Sequence, residues 1–185
     1  MRNIKTTSSP SLIIALVAIG LVFAVGCDIF SPPPPAGDFK SELTSPEKVA
    51  AAIEFAYGFR DINVYKKALS PDYVFYFNPS DVGQIVNGYE IPQSWTYQED
   101  CNATANMFSE AYQLKLEIQA IEEPPAGENT FHTYNKSINL LLMVDEKNGY
   151  RTDKGYCDFE FERYLNANNQ PRWRLKKWYD HTSAS

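Results

Sequence analysis

The chain is short of the residues that most often announce chemistry. Its 185 residues include only three Cys, two His and nine Gly. Cys27, Cys101 and Cys157 stand far apart, so there is no Cys-x-x-Cys redox or metal pair. His132 and His181 are each solitary, with no neighbour at ligand spacing, and a metal site is not expected. No Gly-rich phosphate loop and no nucleophile motif occurs, and no resident cofactor is expected. Positive charge is also scarce. Seventeen Lys and Arg face 23 Asp and Glu, for a formal net charge of −6. The basic residues are scattered, which argues against nucleic acid as a partner, because phosphate contact supplies most of that affinity. No apolar run reaches the roughly 20 residues that a spanning helix needs.

Aromatics, by contrast, are plentiful: twelve Tyr, eleven Phe and three Trp. They carry large apolar area and call for a well-packed core or a lined pocket. The length fits one domain with accessories.

The N-terminus reads as a leader. Arg2 and Lys5 precede an apolar run from Leu12 to Val25, the layout of a secretory signal. Ala24-Val25-Gly26-Cys27 resembles the lipobox of bacterial lipoproteins, although Ala24 stands where Leu is usual. The resemblance implies cleavage before Cys27 and lipid on its sulfur. Residues 1–26 are then a lipoprotein signal peptide. Removing it takes Arg2 and Lys5 away and leaves a net charge of −8. Residues 27–43 carry the lipidated Cys27 and a linker. Its Pro32-Pro33-Pro34-Pro35 favours stiff polyproline II, a spacer lifting the domain off the bilayer.

Residues 44–185 form the domain. Ser45-Pro46 opens a helix, with Thr44 and Glu47 offering a capping box in a neighbouring register. Asp61 caps a second, short helix. Ser70-Pro71-Asp72 reads as a turn, and Tyr73 to Phe77 as an aromatic strand. The polar stretch from Ser80 to Ser94 reads as irregular. Helical spacing returns from Tyr97 to Ala111, where Glu99 and Asp100 are expected to complement the helix dipole. Four strands follow: about Tyr112 to Ala120, Lys136 to Asp145, Tyr150 to Tyr164 and Arg172 to Asp180. Asn148-Gly149 is a favoured hairpin pair. Helices followed by meandering strands indicate an α+β domain with helices on one face of a curved, mostly antiparallel sheet.

On the last hairpin, Asp158, Glu160 and Glu162 alternate along one strand, and Arg172, Arg174 and Lys176 along the next. The pattern sets Glu162 opposite Arg174, Glu160 opposite Lys176, and Phe161 opposite Leu175 on the buried face.

Ala56-Tyr57-Gly58-Phe59-Arg60-Asp61, Tyr65, Leu69, Asp72-Tyr73-Val74-Phe75 and the closing Trp173 to Asp180 resemble the NTF2-like superfamily. That superfamily holds the SnoaL-like cyclases and ketosteroid isomerases on a cone-shaped, cystatin-like fold. Trp95, Met107 and Phe108 are similar to a lipoprotein branch of it. The resemblance covers about residues 44–181 and implies a pocket between sheet and helices. The isomerases' catalytic positions fall at Ile53 and at Phe77 or Asn78, none of which does acid–base work, so no catalytic residue carries over. Asp72, the nearest carboxylate, reads as a turn residue.

The pocket candidates are therefore aromatic: Tyr57, Phe75, Phe77, Trp95, Phe108 and Tyr156. Each is also a plain core residue by type. With Cys27 lipidated, Cys101 and Cys157 remain for a disulfide in an oxidising compartment, the alternative being two buried thiols. The reading is a membrane-anchored, non-catalytic domain of the bacterial cell envelope that binds a small ligand or an envelope protein. The alternatives are an assembly lipoprotein with a sheet-face homodimer and a SnoaL-like enzyme with unconventional residues.

Overall fold

A computed structural model describes residues 42–182, apart from Asn87. The leader, Cys27 and the proline spacer lie outside the described residues. Among those described, no helix is long and apolar enough to cross a membrane.

Helix α1 covers Pro46–Phe59. The Ser45 side chain accepts from the Lys48 amide at 3.3 Å, and Pro46 occupies the first turn, where its missing N–H costs nothing. Thr44 is not the cap; its hydroxyl accepts instead from Lys48 Nζ. The helix stops at Arg60, which adopts the left-handed conformation with φ 55° and returns its N–H to Ala56 and Tyr57. Asp61 caps α2, Ile62–Ala68, by accepting from the Asn63 and Val64 amides. Helix α3, Tyr97–Glu110, opens with a capping box between Thr96 and Glu99.

The strands are β1 Leu69–Tyr76, β2 Ile85–Val86, β3 Tyr89–Glu90, β4 Ser94–Thr96, β5 Gln113–Ile118, β6 Thr130–Met143, β7 Gly149–Leu165 and β8 Pro171–Asp180. The main sheet runs β4-β1-β8-β7-β6-β5. Only β1 and β8 pair in parallel; the other neighbours are antiparallel. Ser70-Pro71-Asp72 is thus absorbed into β1 as an irregularity between Leu69 and Val74. The stretch from Ser80 is less irregular than its composition suggests. It supplies β2, β3 and β4, the last of which edges the main sheet beside Phe75.

The β6–β7 hairpin turns where the sequence places it, at Glu146-Lys147-Asn148-Gly149, but not on the Asn-Gly pair. Asn148-Gly149 is not a two-residue turn. Asp145 organises the loop, its Oδ1 accepting from the Lys147 and Asn148 amides at 2.7 Å. Gly149 already belongs to β7, opposite Met143. A Cβ there would lie 2.6 Å from the Leu142 carbonyl, so close approach explains the glycine.

Strand alternation sorts the sheet into two faces. Phe75, Phe159, Phe161, Leu175 and Trp178 are buried. They pack in a continuous aromatic layer against the helices, with Phe159 and Trp178 edge to face at 4.9 Å. The other face of β7 and β8 carries charge. Glu162 lies opposite Arg174 and Phe161 opposite Leu175, as the alternation predicts. Glu160, however, pairs with Lys177, because a bulge inserts Lys176 between the two registers. Both lysines still reach it: Lys177 Nζ at 2.8 Å and Lys176 Nζ at 3.6 Å. The charge ladder survives a slip of one residue because the bulge keeps both cations on the same side.

Candidate functional site

Two places gather chemistry, one inside the domain and one at its rim. The inner one is built on α3. Asp100 follows the capping glutamate by one residue, which turns it about 100° around the helix and into the core. Glu99 stays exposed and serves the cap as expected, its carboxyl held below the usual range by the Thr96 amide and hydroxyl. Asp100 does not serve the helix end. It is only 5% exposed and accepts a 2.7 Å hydrogen bond from the Tyr65 hydroxyl. Burial pushes its carboxyl up to about 7, with the Tyr65 bond opposing. Tyr57, Tyr65 and Phe108 meet edge to face around it, with centroids 5.2–6.2 Å apart. The phenols of Tyr57, Tyr65 and Tyr73 are all pushed upward, first by burial and then by the charge of Asp100. Sequence reasoning missed this carboxylate. The signal was available: Asp100 is one residue from Cys101 and four from Thr104, on the face that α3 buries.

Most of the aromatic pocket candidates prove to be core. Tyr57, Phe75, Phe77, Trp95 and Phe108 are each at most 6% exposed. Phe75, Phe77 and Trp95 pack on one another, with Phe77 and Trp95 edge to face at 4.8 Å. Tyr156 is a correction. It is 45% exposed and points away from the helices, because its neighbour Cys157 takes the inward position on β7. The disulfide between Cys101 and Cys157 is a second correction: both are free, buried thiols. Cys101 sits on α3 among Tyr97, Asp100 and Lys66, and burial pushes its thiol up to about 11. Cys157 sits in the sheet beside Asp180, its Sγ donating to the Lys136 carbonyl at 3.5 Å. Inward-facing character is shared by both residues, but it does not place them together.

The rim site exists because β1 and β8 run parallel. Their C-terminal ends finish side by side, with Tyr76 opposite Tyr179. The two rings stack at 4.7 Å with 6° between their planes. Together with Phe77, Pro79, Val82, Gln93, Asp180 and His181 they line a cleft of about 360 Å³. Val82 is 39% exposed at its edge.

His181 is not solitary after all. Its Nε2 lies 2.9 Å from Asp158 Oδ2. Asp158 is fixed in turn, accepting from the Asn135 amide at 2.7 Å. Asn135 takes a left-handed φ of 52° where β6 shifts register against β7. The second cleft wall is equally set: Asp180 is 1% exposed, and its Oδ1 accepts from the Thr182 amide at 2.9 Å. An aromatic wall with phenol, amide and imidazole at its rim has the chemistry to accommodate a small partly apolar molecule. Among the described residues no cluster of three or more His, Cys, Asp or Glu is arranged to hold a metal ion.

No family model matches the sequence, and none of the curated proteins matches it. Solved structures do. A protein described as a scytalone dehydratase from Novosphingobium aromaticivorans is similar with a TM-score of 0.53 at 8% identity, over 75% of this chain and 82% of that one. A protein described as a calcium/calmodulin-dependent protein kinase type II association domain, from Thiobacillus denitrificans, is similar with a TM-score of 0.51 at 10% identity, over 76% of this chain and 97% of that one. An NTF2-like protein from Rhodospirillum rubrum gives 0.48 at 12% identity, over 74% and 96%. The fold shared with the first two of these is the NTF2-like cone, helices packed against a curved mixed sheet. At such identities the likeness is one of fold, and fold alone does not carry an activity.

Proposed function

We propose that this domain is a non-catalytic binding module that takes a small, partly planar ligand in the rim cleft between the ends of β1 and β8. The observation that carries the reading is the stacked Tyr76–Tyr179 wall beside a His181 held by Asp158. Aromatic faces supply area at low entropy cost, and the polar rim supplies orientation.

Catalysis finds less support. The carboxylate and phenol best suited to acid–base work, Asp100 and Tyr65, are enclosed by core residues, and neither lines the rim cleft. A general base must come within hydrogen-bonding reach of its proton. Assembly through the outward sheet face also finds less support. That face on β7 and β8 pairs its own charges rather than presenting an apolar patch.

The same proposal places the domain in a bacterial cell envelope, on a membrane through lipid at Cys27. The mass of the N-terminal peptide of the mature protein tests that anchor, and an unmodified Cys27 would remove it.

The cleft is tested by a fragment titration followed through backbone amide shifts, with phenols, indoles and monosaccharides as probes. Saturable shifts at Phe77, Gln93 and His181 are expected for at least one class. They should weaken tenfold or more in Tyr179→Ala. Shifts confined to other parts of the domain, or none with any class, would refute the reading.

A further inference from the structure

A second cleft, of about 320 Å³, lies elsewhere on the sheet, between α2 and the β7–β8 hairpin. Its walls carry Lys66, Lys67 and Arg174, with Tyr97 and Tyr164 beside them. Three cations thus gather in one cleft of a chain whose net charge is −6. We propose that this cleft is a binding site for a phosphate group.

Lys66 and Lys67 close the last turn of α2 and are exposed, and among the described residues neither has a carboxylate within ion-pair distance. Arg174 is held ready. Its guanidinium lies 3.7 Å over the Tyr164 ring, a cation–π contact that fixes its plane. The one carboxylate close to it, Glu162, stands 3.6 Å from Nη2 and is already shared. Glu162 accepts from the Ser70 hydroxyl at 2.6 Å and has Lys176 at 3.8 Å. Asp72 is the other acidic neighbour, exposed beyond Pro71. The site therefore keeps excess positive charge, and like cations held together are stabilised by an anion between them. Two point-charge ammoniums and one planar guanidinium suit a tetrahedral oxyanion with several acceptors.

The position of the cleft adds a source for that phosphate. The chain reaches the domain along the first residues of β8: the Trp173 amide donates to the Leu43 carbonyl at 2.8 Å, and Arg172 pairs with Glu42 at 2.6 Å. Arg174 is two residues from Arg172, so the basic cleft sits at the end where the linker arrives. The rim cleft sits at the other end of β8, at Asp180. A free phosphate and a lipid headgroup share the chemistry, and both can be tried.

The experiment is lysine acetylation footprinting of the full chain in phosphate-free buffer, read by mass spectrometry. Lys115, which is 62% exposed, serves as the internal reference. The probes are inorganic phosphate, phosphatidylglycerol vesicles and phosphatidylcholine vesicles. Labelling of Lys66 and Lys67 should slow at least threefold with phosphate or with phosphatidylglycerol, while Lys115 is unchanged. Protection by phosphate identifies a free-anion site; protection by phosphatidylglycerol vesicles alone identifies the headgroup. In the Lys67→Gln and Arg174→Gln variants the protection of Lys66 should fall. Lys67 is exposed, so its variant keeps the fold. Equal protection by phosphatidylcholine, with none by inorganic phosphate, would mean simple occlusion by the bilayer and would overturn the proposal. Protection that survives both substitutions, or no protection by any probe, would overturn it too.

Discussion

The two faces of the sheet handle negative charge in opposite ways. On the outward face, Glu160 has a side chain only 8% exposed, yet its carboxyl falls below the usual range. Burial alone would raise it; Lys177 at 2.8 Å, with His132 and Lys176 beyond, outweighs that. On the helix side, Asp100 is as little exposed but lies deeper in the core, with only a phenol as close partner, and its carboxyl rises to about 7. Depth of burial sets the penalty, which is larger for Asp100, and the neighbouring cation offsets the smaller one at Glu160. The outward face is thus a paired ladder that contributes stability while Glu160 is ionised and loses it as pH falls through the lowered value. The inner face holds a carboxylate at odds with its apolar surroundings.

The sharpest test of this contrast is to damage the apolar layer itself. Phe159→Ala removes a ring that packs on both Phe161 and Trp178. A loss of about 3–5 kcal/mol is expected from transfer and cavity terms, measured by urea denaturation. A loss under about 1 kcal/mol would mean that the layer is not the core.

Asp100 provides the next largest effect. Its folded-state value, about 7, lies above its ordinary 3.8. The folded state therefore binds the extra proton between those values. The associated stability is complete below about pH 4 and is lost as pH rises through 7. Stability should fall by about 2–3 kcal/mol from pH 5 to pH 8. Asp100→Asn should flatten that slope in denaturation curves at the two pH values. An unchanged slope in the variant would assign the effect to other groups.

The smallest effect belongs to the outward face. Lys177→Gln leaves Glu160 with Lys176 still near. A cost of about 1 kcal/mol is expected at neutral pH, reduced in high salt because Lys177 is 30% exposed. A cost as large as that of Phe159→Ala would erase the distinction between the faces.

Much of the fold was legible because it follows from local periodicity. The Ser45 and Asp61 caps, the period-two run through Leu114 and Leu116, and the pairings Glu162–Arg174 and Phe161–Leu175 all stand where the pattern puts them. The candidate site was far less legible. Only Phe77 among the six aromatic candidates lines the rim cleft, and its other walls, Tyr76, Tyr179 and His181, drew no notice as pocket residues.

By itself the sequence determined which residues share a strand or helix face, because a side chain's direction along an element depends on spacing alone. It also determined where elements begin, because caps act over three or four residues. Tertiary structure decided everything that depends on which elements become neighbours. Tyr65 meets Asp100 across 35 positions, and Asp158 meets His181 across 23. The rim cleft arises only because β8 returns parallel to β1 and brings Tyr179 against Tyr76. No spacing rule encodes such meetings; they follow from packing one apolar face of the whole chain at once, and that packing chose the partners.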